Sequence, residues 1–508
     1  MQRVRGRGET GRRSGLKIRF PWSAGSSPAV RTTLLALLLL GCGRQEAPTE
    51  LSVSLIAPTF APADPNKGLL PPPAQLYLEE TAMGLVTLDG AGQVAPGLAE
   101  SWMVTDDGLS LVFRLRPLKW RDGTDVTAPQ VAAALRRATA SDSRNAFKPL
   151  LSAVDTIRAM TGRVVEIDLR APRPNLLQLL AQPELAIRRG GVGLGPWREA
   201  GRKDGFVTLA SVPLDGEDAE VEGDKRTVQL RPERAALAIV RFQTRGAALV
   251  SGGTIADWPL VRGLNRRAGL RLDPAQGLLG IGIRGRQPAL RDPRVREALA
   301  MAIDRAALAG VLDIPNWTPR ETLLPGPLDI AAAPAAPRWA ERPLAQRQAE
   351  AAAALRERSN LGVPLQRVRM AAPTGPGMRL VLARLTADFR RIGLALEPAP
   401  LTDLTADLVW IDEVAPNESA NWYFTRTGCE FGFACGDDVR NGLRASRASG
   451  TLGERARLLA ETDTAFARAP SFIVLGNPVR WSLVAPNLVG WRENAFAAHP
   501  FVELVRAR

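Results

Sequence analysis

One histidine, His499, occurs in 508 residues, near the carboxyl end. A site built on two imidazoles is therefore excluded, and Ser–His or Cys–His catalysis would have to rest on this single ring. His499 is expected to make no more than a partly buried contact. Cys429 and Cys435, with no histidine beside them, fall short of the four ligands that zinc usually takes. There is no Walker A, no HExxH and no GxSxG, since Leu249-Val250-Ser251-Gly252-Gly253 lacks the first glycine. Two GxGxxG matches lack the setting of a dinucleotide site. Gly6 to Gly11 follows no strand, and Gly280 to Gly285 alternates with Leu279, Ile281 and Ile283 as a strand does. No basic run is interleaved with aromatics, the footprint of nucleic-acid binding, although the formal charge is +14. Residues 1–31 hold eight Lys/Arg against one acid, which accounts for half of that excess. The remaining basic residues are scattered and nearly all Arg, a compositional bias rather than a stripe. No catalytic residue, metal, cofactor or nucleic-acid partner is predicted, and no internal repeat is visible.

The chain is 45% hydrophobic, can bury a large core, and is expected to form two or more domains. Its early apolar run, Leu34 to Leu40, is short and ends in Leu39-Leu40-Gly41-Cys42. A basic flank, a short apolar core and a small residue before the cut describe a secretory signal; a membrane span needs about 20 apolar residues. Leu-x-Gly-Cys at this place resembles the lipobox of bacterial lipoproteins, in which the cysteine is acylated and becomes the first mature residue. Residues 1–41 are read as a signal region, with translation starting at Val30 as a hypothesis. Residues 42–73, with Pro58, Pro62, Pro65 and Pro71-Pro72-Pro73, are read as a lipidated tether running into a strand around Leu51 to Ile56. The expected location is extracytoplasmic (periplasmic), anchored to the membrane through Cys42.

Pro96 to Ala138 is the most informative stretch. Asp106-Asp107-Gly108 signals a turn, and Leu111, Phe113 and Leu115 then alternate with Val112, Arg114 and Arg116 at the period of a half-buried strand. Asp122-Gly123 makes a second turn, Thr127 can cap a helix, and Pro129 sits in its first turn. With Pro96–Trp102 (PGLAESW), Trp120 to Gly123 and Thr127-Ala128, the stretch resembles the extracytoplasmic solute-binding proteins that serve peptide and nickel ABC importers. Further blocks follow in that family's order. Leu76 to Asp89 carries Met83 where an aromatic is usual, Gly193 to Trp197 resembles a return strand, and Arg241 to Ala256 resembles a strand and helix with Thr254 near the place of the usual acid. In Gly277 to Leu312, Asp292 is a good N-cap and Pro293 an N1 residue, and Val295, Leu299, Ala302 and Ile303 form one buried helical face. Leu323 to Pro327, and Trp481 to Trp491 with Phe496 and His499-Pro500, complete the match. Residues 330–360 are helical in propensity. Val368 to Pro398 reads as strand, helix and strand, and Ala406 to Ile411 as another strand.

The resemblance implies an α/β fold like the type II periplasmic binding proteins: two α/β lobes with a hinge, plus an extra α+β subdomain. The first lobe is expected over 74–265 with the subdomain at about 90–185, the second lobe over 266–478, and a return to the first over 479–508. The implied function is that of a monomer that captures a peptide or similar small solute between lobes that close around it, and delivers it to an ABC permease with its own ATPase. Asp412 and Glu413 are the nearest equivalents of the family's ligand-facing acid, and Trp410 and Trp422 would line the cleft. The residues alone leave open that the acids face solvent at a strand end and that the tryptophans pack in the core. Cys429 and Cys435 would form a small disulfide loop, as in some family members, which export permits. Two other readings stand beside this one: a secreted lipoprotein hydrolase using two acids, and a degenerate binding protein with a sensory or interaction role. Replacing Cys42 by Ser is expected to release the protein from membranes, checked by fractionation; retention of the variant would count against lipidation.

Overall fold

Leu51, Val53 and Leu55 are buried on one strand, Glu50–Ile56, matching the strand expected around Leu51 to Ile56. In the computed structural model, which describes residues 50–59, 63–212 and 226–504, this strand lies inside a seven-stranded sheet. The order is Trp197–Lys203, Phe206–Ser211, Thr227–Glu233, Glu50–Ile56, Leu249–Gly253, Arg480–Val484 and Leu270–Asp273. Glu50–Ile56 pairs in parallel with both neighbours, and the other pairings are antiparallel. The signal region and Cys42 lie outside the described residues.

A second, five-stranded sheet runs Ala395–Pro400, Arg367–Ala372, Leu408–Val414, Gly277–Ile283 and Phe472–Gly476. Arg367–Ala372 and Ala395–Pro400 are parallel and joined by the helix Pro376–Arg391, the expected strand–helix–strand unit. Every residue of Gly277–Ile283 is buried. Its glycines make room for rings: a Cβ on Gly282 would run into Phe433, and one on Gly280 into Phe472 and the main chain of Ile473. The second GxGxxG match is thus a core strand, as its alternation implied.

A third, antiparallel sheet of four strands, Ala99–Val104, Ser110–Leu115, Val164–Leu169 and Val154–Thr161, packs against the helix Ala128–Thr139. Hydrogen bonds explain the spacing of its sequence block. The Trp120 indole N–H donates to Gln130 Oε1 at 2.8 Å, and the same oxygen accepts from the Thr127 N–H at 3.1 Å, fixing the helix start. Asp122 Oδ1 accepts from the Thr124 N–H at 3.1 Å across a turn that holds Gly123 at φ +82°.

Asp292 caps the helix Pro293–Ala302 by accepting from the Arg294 N–H at 2.9 Å, and Val295, Leu299, Ala302 and Ile303 are all buried. Two local expectations fail. Residues 330–360 are helical only over Leu344–Asn360, because Pro334, Pro337 and Pro343 remove N–H donors and push their predecessors out of the α region. Around 241–256 the helix, Ala235–Gln243, precedes the strand, Leu249–Gly253. Cys429 and Cys435 are bonded, with Cα atoms 5.4 Å apart.

The chain passes between the two larger sheets twice, over 274–276 and over 477–479. One apolar cluster contains Val250 and Leu483 of the first sheet together with Ile281 and Val368 of the second, so the two layers share a core. Gly282→Ala should lower stability by about 1–3 kcal/mol through overpacking against Phe433, read as the denaturant midpoint; an unchanged midpoint would show that Phe433 moves aside freely.

Candidate functional site

The strand Leu408–Val414 carries three of the four residues expected at a ligand site. Trp410 is 5% exposed and belongs to the core shared by the two larger sheets. Asp412 does not face solvent. Its Oδ1 accepts from Arg480 Nη1 at 2.6 Å and its main-chain oxygen from Arg480 Nη2 at 2.9 Å. Burial raises the Asp412 carboxyl above its ordinary range, and Arg480 pulls it back down. Glu413 meets Arg426 in a two-pronged pair, with Nε to Oε2 at 2.7 Å, and the Arg426 guanidinium stacks over the Phe431 ring. Trp422, on the helix Ala420–Arg426, is 5% exposed and stands edge-on to Tyr423 in a different core cluster from Trp410. The structure therefore separates the two tryptophans and gives each acid an arginine.

Other residues, not singled out in the sequence, gather at the Val414 end of that strand. Gln75 and Glu79 share one face of the helix Pro72–Thr81, four residues apart. Gln75 Nε2 donates to Glu184 Oε1 at 2.8 Å, and Glu184 is 4% exposed. The Glu79 side chain reaches solvent, and the protein around it strips much of its hydration. Burial and the nearby Glu184 push its pKa up to about 7. Burial also raises Glu184, which feels the charge of Glu413. Glu79, Glu184 and Glu413 are thus a chain of interacting acids running from a helix beside the first sheet to a strand of the second. Glu413 was named from the sequence; Glu79 lies inside the family block Leu76 to Asp89 without being singled out there, and nothing in the sequence marked Glu184.

Buried polar atoms without a protein partner lie at the same end of the sheet. Gly277 pairs with Val414, and its oxygen accepts from Arg320 Nη2 at 3.0 Å. Arg320 Nε and Nη1, Gln276 Oε1 and Asn417 Oδ1 are buried and have no hydrogen-bond partner. Burial lowers the Arg320 pKa to about 10, so it remains a cation. A loop closes over this region. Gln182 Nε2 donates to Pro416 O at 2.9 Å, Asn175 Nδ2 to Glu418 O at 2.7 Å, and the Glu418 N–H to Gln178 Oε1 at 2.9 Å. Unpaired buried donors and acceptors are costly. Their concentration where the chain crosses between the two larger sheets is the arrangement of a polar ligand site. Among the described residues no cluster of His, Cys, Asp and Glu suits a metal ion.

This architecture and this chain match known proteins. The glutathione-binding protein GsiB of Shigella flexneri serotype 5b is 27% identical over 342 residues, which are 63% of this chain and 65% of GsiB; the chain thus matches somewhat less than two thirds of that relative's length. Haemophilus influenzae OppA, in complex with the peptide RPPGFSPFR, superposes with a TM-score of 0.77 at 18% identity, covering 91% of this chain and 99% of OppA. The murein tripeptide-binding protein MppA of Escherichia coli superposes at 0.75 and 18% identity, covering 89% of this chain and 97% of MppA. An unliganded open form of MppA reaches only 0.57, covering 87% and 94% at the same identity. The fold is the two-lobed type II fold of the periplasmic binding proteins. The model of the bacterial extracellular solute-binding proteins, family 5, matches residues 93–432, and the chain belongs to that family.

Proposed function

We propose that the protein is the solute-binding component of an ABC importer. It captures a peptide or similar small solute outside the inner membrane, closes on it, and delivers it unchanged to a permease powered by a separate ATPase. The observation that carries this reading is the set of buried, unpartnered polar atoms of Arg320, Gln276 and Asn417 at the Val414 end of the strand, together with the raised acids Glu79 and Glu184. Such groups bind and orient a polar guest, and no nucleophile–base pair stands among them. GsiB, OppA and MppA, which are named for glutathione, peptide and murein tripeptide ligands, support the class of solute.

In this reading the seven-stranded sheet is the core of the first lobe and the five-stranded sheet that of the second. The crossovers at 274–276 and 477–479 are the hinge, and the four-stranded sheet is the extra subdomain. The protein works as a monomer held at the membrane by acylated Cys42. The acids favour a solute with an ammonium or guanidinium group; Arg320 favours a carboxylate or carbonyl on the same solute. Asp412 acts in the hinge through Arg480, and Glu413 faces the cleft edge in its pair with Arg426.

Two outcomes are expected. A cationic peptide should raise the melting temperature without being turned over, and Glu79→Gln with Glu184→Gln should weaken its binding by about tenfold, close to 1.4 kcal/mol, measured by titration calorimetry. Turnover of the peptide, or equal binding by the double variant, would sink the reading. The second outcome concerns pH. Glu79 holds its proton more tightly in the fold than in the unfolded chain, so its contribution to stability is greatest at low pH and falls as pH rises from about 4.5 to about 7. Cationic-peptide affinity should rise over the same interval as Glu79 ionises, and Glu79→Gln should flatten that rise.

A further inference from the structure

Arg284, Arg286, Arg291 and Arg296 converge on an open pocket of about 610 Å³ in the second lobe. It lies at the opposite end of the five-stranded sheet from the acids. Arg284 follows Ile283, which pairs with Leu408, whereas Gly277 pairs with Val414 beside Glu413. The length of that strand, about 20 Å at roughly 3.3 Å per residue, separates the two places. Leu404, Phe431 and Phe433 supply apolar wall, and the loop carrying both rings is closed by the Cys429–Cys435 bond.

The outer three arginines are each pinned by one nitrogen on main-chain carbonyls. Arg284 Nη1 donates to Asp403 O at 3.2 Å and Ala406 O at 3.4 Å, Arg286 Nη2 to Leu404 O at 2.6 Å, and Arg291 Nε to Gly285 O at 3.0 Å. Their remaining nitrogens have no protein acceptor among the described residues. Arg296, 3% exposed, gives its nitrogens to the main-chain oxygens of Pro470, Leu290, Arg291 and Ala469. Among the described residues none of the four forms an ion pair with a carboxylate. Three acids of the surrounding loops are committed elsewhere: Asp403 to Arg369, Glu430 to Arg447 and Asp437 to Arg440. Burial, and then the charge of Arg286, lowers the Arg284 pKa. Asp403 and Asp292 are near enough to act on Arg284 and Arg296 but pair with neither, so positive charge is collected here without an ion-paired carboxylate, on guanidiniums that are oriented and, in the outer three, still hold spare donors. That geometry suits the several acceptor oxygens of a phosphoryl group.

We propose that this pocket is a second binding site, independent of the cleft, for a phosphoryl anion carried on an apolar or aromatic body, whether a soluble organophosphate or a phospholipid headgroup. The test uses the full chain with its disulfide intact. Phenyl phosphate is titrated calorimetrically, and flotation is measured with phosphatidylcholine vesicles with and without phosphatidylglycerol. Arg286→Ala with Arg291→Ala should weaken binding by about tenfold, and Arg286→Glu alone, at an exposed position, should act in the same direction. A charge-matched control, Arg379→Ala with Arg390→Ala on the helix Pro376–Arg391, should leave binding unchanged. Binding of phenyl phosphate that depends on the pocket arginines assigns a soluble ligand. Pocket-dependent flotation with phosphatidylglycerol, without phenyl phosphate binding, assigns the headgroup. No binding of either probe, or equal loss in pocket and control variants, overturns the site, since the second result would be the general effect of positive charge.

Discussion

The Asp412–Arg480 pair occupies the point on which the arrangement of the two larger sheets depends. Arg480 is the first residue of its strand in the seven-stranded sheet after the second crossover, and Asp412 lies in the middle of the five-stranded sheet. The pair is largely buried, with side chains 18% and 11% exposed, so removing one partner leaves a desolvated charge. The first crossover is held in the same neighbourhood. The Ala415 N–H donates to Gln276 O at 2.8 Å, and the Gln276 N–H to Ala495 O at 3.1 Å. Just before it, Asp273 meets His499 Nε2 at 3.0 Å, and the His499 ring stacks on Trp491. Two short connections tied in this way leave rotation about the crossovers as the natural motion between the layers. The single histidine, predicted to make a modest contact, is part of that tie.

Local chemistry was legible in the sequence wherever a bond spans a few residues. Thr127, Gln130 and Trp120 lie within one turn and its approach, so their spacing announces the helix they start. Asp292-Pro293 likewise announces its own helix, and the alternation of Gly277–Ile283 announces a strand despite its phosphate-loop pattern. Proline chemistry at 334, 337 and 343 was equally present but was outweighed by alanine propensity in the reading of 330–360. The candidate site was largely illegible because its determinants are tertiary. Asp412 looks like a free acid until Arg480 arrives from 68 residues away. Glu79 looks like a surface helix acid until Glu184 is brought beside it. No period or spacing encodes either encounter.

The arginine excess has a structural use that composition alone conceals. Arg296 brackets four main-chain oxygens at the junction of two loops and a helix. Arg305, 5% exposed, donates to Val474 O at 2.9 Å and Ala300 O at 3.1 Å, and its guanidinium faces the Trp339 ring. Burial lowers both pKa values to about 10, which leaves them charged. A planar cation with several fixed donors can satisfy loop carbonyls that no regular element reaches. Lysine, with one nitrogen, cannot bracket them in this way. A scattered arginine bias is therefore compatible with a fold rich in long irregular connections and needs no nucleic acid to explain it.

The closed arrangement itself sets opposing forces against each other. The amide contacts of Asn175, Gln178 and Gln182 with Pro416 and Glu418 are each worth about 0.5–1.5 kcal/mol. The same closure brings Glu184 within the field of Glu413, and burial penalises Glu79 and Glu184 as charged groups. Without a guest, latch and repulsion work in opposite directions. In the proposed function a solute cation would remove the repulsion while leaving the latch in place, so its differential affinity for the closed form would come from the acids and not from the latch. The acids would then set both which solute binds and how far the equilibrium moves when it does. The latch, made largely to main-chain atoms, would set only the baseline from which that shift begins.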